Sequence, residues 1–325
     1  MGTHKHPSST SEQNIMLHYP VLSNEVIESA NVTPEELWID CTLGRGGHCA
    51  LLLERGAKVI GLDKDPEALH FCKERFAQYG DQFTSYHCDF RHVKSQLTAL
   101  NIKKVDGIFA DLGVSSPQLD TPERGFSFRE SGPLDMRMDF TQGLTALEWL
   151  KKQDVKSLAY TIKSFGEEPF ARSIAQSILK WIESGGIDTK GLANAIEQGI
   201  PSSARRKRHK HPATRSFQAI RIAINGELDA LSQLLNDGPS LLKPEGKFLL
   251  LSFHSLEDRL IKRHFKMLSS IQSAPRRGLP PPPGPPPEYS IHPRKSLTAT
   301  QSECEQNPRS RSARLRGIKR IRQTL

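Results

Sequence analysis

The sequence predicts an α/β fold, a doubly wound parallel sheet interrupted by a helical insertion. Three observations carry this expectation. Short apolar runs alternate with helix-length segments through the first 120 residues; the rhythm then stops; and it resumes near residue 216 with helix, strand and helix. Strands separated by helix-length segments imply parallel βαβ units rather than hairpins. The expected organisation is one discontinuous α/β unit, residues 1–119 and 216–325, around a helical insertion at residues 120–215 that serves substrate recognition. A Pro-rich stretch at residues 274–288 reads as a flexible linker.

Taken in order, residues 37–41 form a short buried strand, and the Gly-rich turn Gly44-Arg45-Gly46-Gly47-His48 leads into a helix ending near Gly56. Residues 58–63 are a second strand, and Pro66 opens a helix that runs towards Gly80. Residues 83–90 and 105–111 read as strands three and four, with a helix at 93–100 between them. Residues 115–143 are rich in Pro, Gly, Asp and Arg without a period, which marks a functional loop region. Helical patterns follow at 146–150, 155–165, 170–182 and 189–200. Phe217, Ile220, Ile224, Leu228, Leu231 and Leu235 are spaced as one amphipathic helix over 216–235. A strand at 246–253 and a helix at 256–268 come next.

Composition excludes several classes. The longest aliphatic run, Phe248-Leu249-Leu250-Leu251, is far too short to span a bilayer. The first residues are polar with no apolar h-region, so neither a membrane nor a secretory destination is expected, and the protein reads as cytoplasmic. The five cysteines form no C-x-x-C pair and read as reduced thiols. The net charge of +9 is uneven: residues 1–120 carry 11 basic and 16 acidic side chains, residues 121–325 carry 34 and 20. A basic half suggests a polyanionic partner. Arg205, Arg206, Lys207, Arg208, Lys210 and Arg215 are the candidate RNA contacts, and the tail from Arg309 to Arg322 is a second basic run.

In open α/β sheets, ligands bind at the carboxyl ends of the strands. The glycines at Gly44, Gly46 and Gly47 let backbone approach a ligand there. Asp63 ends strand two, where a carboxylate accepts ribose hydroxyls. Phe90, after strand three, can pack on an adenine face. Cys49 stands where a dinucleotide fingerprint has its third glycine. These residues leave S-adenosylmethionine and a dinucleotide both open.

Asp111-Leu112-Gly113-Val114-Ser115-Ser116-Pro117-Gln118 follows strand four. Enzymes that methylate exocyclic amino groups place an Asp/Asn/Ser-Pro-Pro-aromatic turn here. The amino lone pair is delocalised into the base, so acceptors at its hydrogens favour a nucleophilic nitrogen and offset transition-state charge. Ser116-Pro117 matches that turn in part, and Asp111, Ser115 and Ser116 are the catalytic candidates.

Beyond this point the chain resembles the ribosomal RNA small subunit methyltransferase H family, also called MraW. The resemblance rests on His18-Tyr19-Pro20-Val21-Leu22, residues 40–48, Asp63-Lys64-Asp65-Pro66, residues 111–120 and Glu123-Arg124-Gly125-Phe126-Ser127-Phe128. It continues in Gly132-Pro133-Leu134-Asp135-Met136-Arg137-Met138-Asp139, Gly166-Glu167-Glu168, His211-Pro212-Ala213-Thr214-Arg215, residues 252–259 and residues 307–312. The resemblance implies a Rossmann-like methyltransferase fold with S-adenosyl-L-methionine as cofactor. It implies N4-methylation of a cytidine in the decoding region of 16S rRNA, in the small subunit or its assembly intermediate. By motif it assigns the donor site to Gly46, Gly47, His48, Asp63, Phe90, Asp111 and Gln118. A homodimer is compatible with the sequence. A DNA amino-methyltransferase and a non-catalytic ribosome-assembly factor are the alternatives.

Other residues read more plainly. His254, Glu257 and Asp258 are too closely spaced in sequence to aim at one metal, so no metal is expected, and Asp258 and Arg259 could form a local ion pair. Asp135, Arg137 and Asp139 are either the edge of a base pocket or a buried ion-pair network. Trp149 and Trp181 read as helix-packing core.

Overall fold

The computed structural model describes residues 20–206, 211–270 and 286–321. Its sheet contains β1 (Leu37–Asp40), β2 (Lys58–Asp63), β3 (Phe83–His87), β4 (Val105–Asp111), β5 (Leu242–Ser252), β6 (Tyr289–Ile291) and β7 (Arg314–Arg320). The order is β3-β2-β1-β4-β5-β7-β6. Strands β1 to β5 are parallel, and β7 runs antiparallel to both β5 and β6. The direction of winding reverses between β1 and β4, which opens a crevice at their carboxyl ends.

Side-chain alternation explains the central strands. Phe248 and Leu250 of β5 join Ile39, Ile60, Leu62, Ile108 and Ala110 on one face of the sheet. Leu249 and Leu251 join Trp38, Val59 and Phe109 on the other. A strand covered on both faces reads as an unbroken apolar run, which is why the sequence shows no alternation there. Gly107 of β4 is a glycine because a Cβ would meet the Trp38 ring at 2.3 Å.

The helices Ala146–Lys151, Val155–Gly166, Ala171–Glu183 and Thr189–Gln198 share a separate core built on Leu150, Leu158, Ile162, Ile174, Ile178, Leu192 and Ile196. Phe217 and Ile220 belong to that core, although they follow the insertion in sequence. Trp149 and Trp181 pack against it, half-buried.

Four expectations change. The single helix over 216–235 is two helices, Thr214–Asn225 and Glu227–Leu241, broken at Gly226 with φ 58°. Apolar spacing continues across the break, so periodicity could not reveal it. Strand β3 stops at His87 because the Asp89 side chain accepts from Arg91 N–H and starts a turn of 3-10 helix, Phe90–His92. Strand β5 begins at Leu242, earlier than the expected residue 246. The basic tail contains β7, where Arg316 pairs with Asp258 and Lys319 with Glu245. The residues 274–285 of the Pro-rich stretch lie outside the described residues, and β6 follows them closely.

Candidate active site

A cavity of about 790 Å³ opens over the carboxyl ends of β1 to β5. That is within the usual range for a small-molecule site. Its floor on the β1–β3 side is polar backbone and carboxylate. Gly44 N–H donates to Asp63 Oδ2 at 2.8 Å and Asp65 N–H to Asp63 Oδ1 at 2.8 Å. Each Asp63 oxygen retains a lone pair for a further donor. Burial pushes the Asp63 carboxyl up to about 6, despite those two hydrogen bonds.

The glycines of the turn have separate tasks. Gly47 lines the cavity, whereas Gly46 does not. Gly46 takes φ 72°, and a Cβ on it would lie 2.5 Å from the Phe76 ring. Its conformation sets the path of the turn from behind, and His48 then enters the cavity wall. The His48 ring is buried; its Nε2 meets Val21 O at 2.9 Å and its face lies on Phe109. Burial drives its pKa down to about 4, so the ring is neutral and donates through Nε2–H.

Asp111 stands where the winding reverses. Its N–H donates to Thr42 Oγ1 at 2.6 Å, and its Oδ2 lies 3.7 Å from His48 Nδ1. The side chain keeps 29% of its accessibility and lines the cavity. Burial, then the charges of Asp40 and Glu257, push its carboxyl up to about 8. Asp40, buried beneath the same turn, is raised by burial to about 7. None of Asp40, Asp63 and Asp111 is ion-paired to a lysine or arginine among the described residues. A cluster of this kind suits a cationic ligand.

Phe90, Ser115, Ser116 and Gln118 also line the cavity. The Ser115 hydroxyl caps the short helix Ser116–Asp120, accepting from Gln118 N–H, while Gln118 Oε1 accepts from Ser115 N–H. Gln118 Nε2 donates to Asp65 Oδ2 at 2.8 Å. Ser115 and Gln118 are therefore tied into the wall, and the Ser-Pro segment is helical, not an open turn.

Sequence reasoning missed the residue that locks this wall. Arg124 Nη1 donates to Asp65 Oδ2 at 2.9 Å and Glu67 Oε2 at 3.1 Å, and its Nη2 reaches the carbonyls of Arg137 and Met138. The only signal was local: Asp65-Pro66 is an N-cap with Pro at the first helical position. Asn225 holds the same strip by accepting from Met138 N–H and donating to Met136 O. Asp135 forms an ion pair with Arg137, and Asp139 accepts from Thr141 and Gln142 and faces His87 at 3.2 Å. Of this strip Met138 reaches the cavity.

The β5 side carries charge. Arg221 Nε and Nη2 donate to Glu227 Oε1 and Oε2 at 2.8 and 2.7 Å. His254 caps the helix Ser255–Leu268, and Glu257 Oε2 accepts from Phe253 N–H. Glu227, His254 and Glu257 place one potential metal-ligand atom each within 4.8 Å of one another. Both Glu227 oxygens accept from the Arg221 guanidinium, and His254 Nε2 lies 3.2 Å from Glu257 Oε1. Asp258 and Arg259 do not pair with each other: Asp258 binds Arg316, and Arg259 binds Glu167, which also accepts from Ser255.

Among the candidate RNA contacts, Arg205 is half-buried, Arg206 exposed, and Arg215 exposed with Nη1 donating to Glu167 O at 3.2 Å. Lys207, Arg208 and Lys210 lie outside the described residues.

A family model described as the MraW methylase family matches residues 15–321. A protein of Anaeromyxobacter sp. (strain K), called Ribosomal RNA small subunit methyltransferase H, is 46% identical over 310 residues, 94% of this chain and 98% of its own length. A protein of the same name from Acinetobacter baumannii (strain ATCC 17978) is 45% identical over 319 residues, 95% of this chain and 99% of its own. A solved rRNA methylase from Streptococcus thermophilus aligns loosely, with a TM-score of 0.38 and 10% identity over 90% of this chain and 92% of that one.

Proposed function

The chain belongs to the MraW methylase family, and from that premise we propose that it methylates the exocyclic N4 of a cytidine in the decoding region of 16S rRNA. The methyl donor is S-adenosyl-L-methionine, which when bound supplies an electrophilic methyl on a sulfonium. Its cationic character fits the three carboxylates that have no lysine or arginine partner among the described residues. The name shared by the relatives supports small-subunit rRNA as the substrate. No described helix is long and apolar enough to cross a membrane, and the enzyme acts in the cytoplasm on the subunit or its assembly intermediate.

The observation that carries this reading is the Asp111 carboxylate at the reversal of the sheet. It lies between the Gly44–Gly47 turn with Asp63 on one side and the β5 wall on the other. Asp63 would receive the ribose hydroxyls of the donor on its remaining lone pairs, and Phe90 would pack on its adenine. Asp111 accepts a hydrogen bond from the target amino group, which localises the nitrogen lone pair for attack. When N4 takes the methyl group, the carbon–sulfur bond of the donor would break to leave a neutral thioether, and N4 becomes positively charged and must lose a proton. A carboxyl held as high as about 8 is basic enough to take it. His48 stays neutral and, held by Val21 O, forms the wall beside that carboxyl. The basic residues Arg205, Arg206, Lys207, Arg208, Lys210 and Arg215 form the phosphate-contacting edge of a recognition insert at residues 120–215. The cytidine leaves its stack to enter the cavity.

The test is methyl transfer from labelled S-adenosylmethionine to small subunits, naked 16S rRNA and duplex DNA, followed by nucleoside mass spectrometry. N4-methylcytidine in the ribosomal RNA is expected. Methyl groups appearing only on DNA, or on another atom of the RNA, would overturn the reading.

A further inference from the structure

The β5 side of the cavity holds a guanidinium that the chemistry above does not use. Arg221 lies on the helix Thr214–Asn225 and lines the cavity. Glu227 grips its Nε and Nη2 through a two-point carboxylate fork, a geometry that fixes both the plane and the direction of the group. The third nitrogen, Nη1, makes no hydrogen bond among the described residues. Arg221 sits directly over the turn after β4: a Cβ placed on Gly113 would be 4.0 Å from its Nη2. Gly113, with φ 95°, is two residues beyond Asp111. Thus one cavity wall carries an acceptor, Asp111, and, over the turn two residues beyond it, an oriented donor, Arg221.

We propose that Arg221 reads the target base, with Nη1 donating to ring N3 of the cytosine whose amino group meets Asp111. The inference rests on the cytidine reading above and extends it to base selection. Cytosine presents an amino donor beside a ring acceptor, the complement of a carboxylate beside a guanidinium. Uracil presents a carbonyl acceptor beside an N–H donor, so acceptor would face acceptor and donor would face donor. Unpaired polar groups in a closed site are costly, and a site built around a hydrogen bond rejects the analogue that lacks it. Glu227 is the positioning residue, since without its fork the guanidinium has no fixed direction. A purely structural ion pair between the two helices is the competing explanation, and it makes no prediction about N3.

The experiment uses small subunits rebuilt with 16S rRNA bearing cytidine or 3-deazacytidine at the methylated position. Replacing N3 by C–H removes the acceptor and leaves the amino group. Single-turnover rates are compared for the wild type, Arg221→Lys, and the paired variant Arg221→Gln with Glu227→Gln. Lysine keeps the ion pair but offers a point charge in place of the fork. The paired variant removes both charges together. The wild type is expected to lose roughly fivefold to tenfold more on 3-deazacytidine than either variant does, the size of one hydrogen bond. Changes in amino-group reactivity are common to all three enzymes and cancel in that ratio. Equal losses in all three would overturn the inference while leaving cytidine methylation intact. A wild type that puts no methyl on N4 of the unmodified cytidine would instead sink the functional reading. Calorimetric titration with S-adenosylmethionine should show donor binding retained in both variants. Its loss in both would place Arg221 in the donor site and also overturn the inference.

Discussion

In the proposed reaction Asp111 is the residue on which the chemistry turns, and its environment fixes how it should respond to pH. In the free enzyme the carboxyl holds its proton up to about pH 8, whereas in the unfolded chain it ionises near 3.8. Folding therefore takes up a proton between those values. The stability contributed by this group is full in acid and is lost as pH rises through about 8. The same titration should govern activity. The kcat/KM profile is expected to rise to a plateau above about pH 8, because it reports the free enzyme. Asp111→Asn should lower kcat by at least about a hundredfold, the usual yield of a positioned acid or base, and should remove the rising limb. Donor binding measured by calorimetry should weaken as well, because Asp111 is one of the three carboxylates that suit the cationic donor. A variant that keeps the limb would assign the titration to Asp40, whose carboxyl is raised to about 7. Asp63 and Asp111 were legible in the sequence because each ends a strand, and strand ends in such folds face the ligand. Asp65 and Arg124 were not. Arg124 meets Asp65 across 59 residues of sequence, a contact that no local pattern encodes. The resemblance marked Gln118 as a donor contact, but the hydrogen bond from its amide to Asp65 was hidden for the same reason.

At the scale of elements, β1, β2 and β4 were legible because buried parallel strands are short apolar runs bounded by turns. Strands β6 and β7 were not. Arg314-Leu315-Arg316-Gly317-Ile318-Lys319-Arg320 alternates charged and apolar residues, but its cationic density pointed to phosphate. The structure pairs Arg316 with Asp258, Lys319 with Glu245 and Arg320 with the Leu242 carbonyl, and leaves Arg314 exposed. The tightest joint in the sheet lies between β1 and β4, where Gly107 faces Trp38. Gly107→Ala forces a methyl into a fully buried ring and should cost about 1–3 kcal/mol, the range for overpacking a core. Thermal or urea unfolding measures this, and an unchanged midpoint would mean that the ring can move aside. At Gly226 the backbone is left-handed with φ 58°. Any L-residue there strains the junction that aims Arg221 and Glu227.

For the whole molecule, charge separates the two tasks. In the proposed reading the acidic part of the chain supplies the donor site, and the basic part supplies the exposed Arg206 and Arg215 of the insert. Replacing Arg205, Arg206 and Arg215 together by alanine should weaken rRNA binding and flatten its salt dependence. The log–log slope should fall by about 0.7–0.9 for each phosphate that the protein no longer neutralises. Donor affinity should not change. Filter binding across a salt series tests this, and an unaltered slope would remove these arginines from the RNA path. The +9 total conceals this division, which only the count by halves and the placement of the runs expose. The order of the sheet has a consequence for how the protein is made. Strand β5 pairs with β7 along Lys247 to Ser252, and that partner is some 60 residues further on, up to Arg320. Until those residues have been synthesised, Phe248-Leu249-Leu250-Leu251 is an open edge of the kind that recruits other chains. Nascent protein should therefore be vulnerable to aggregation until late in synthesis, and a chaperone that shields one apolar strand would protect the whole fold.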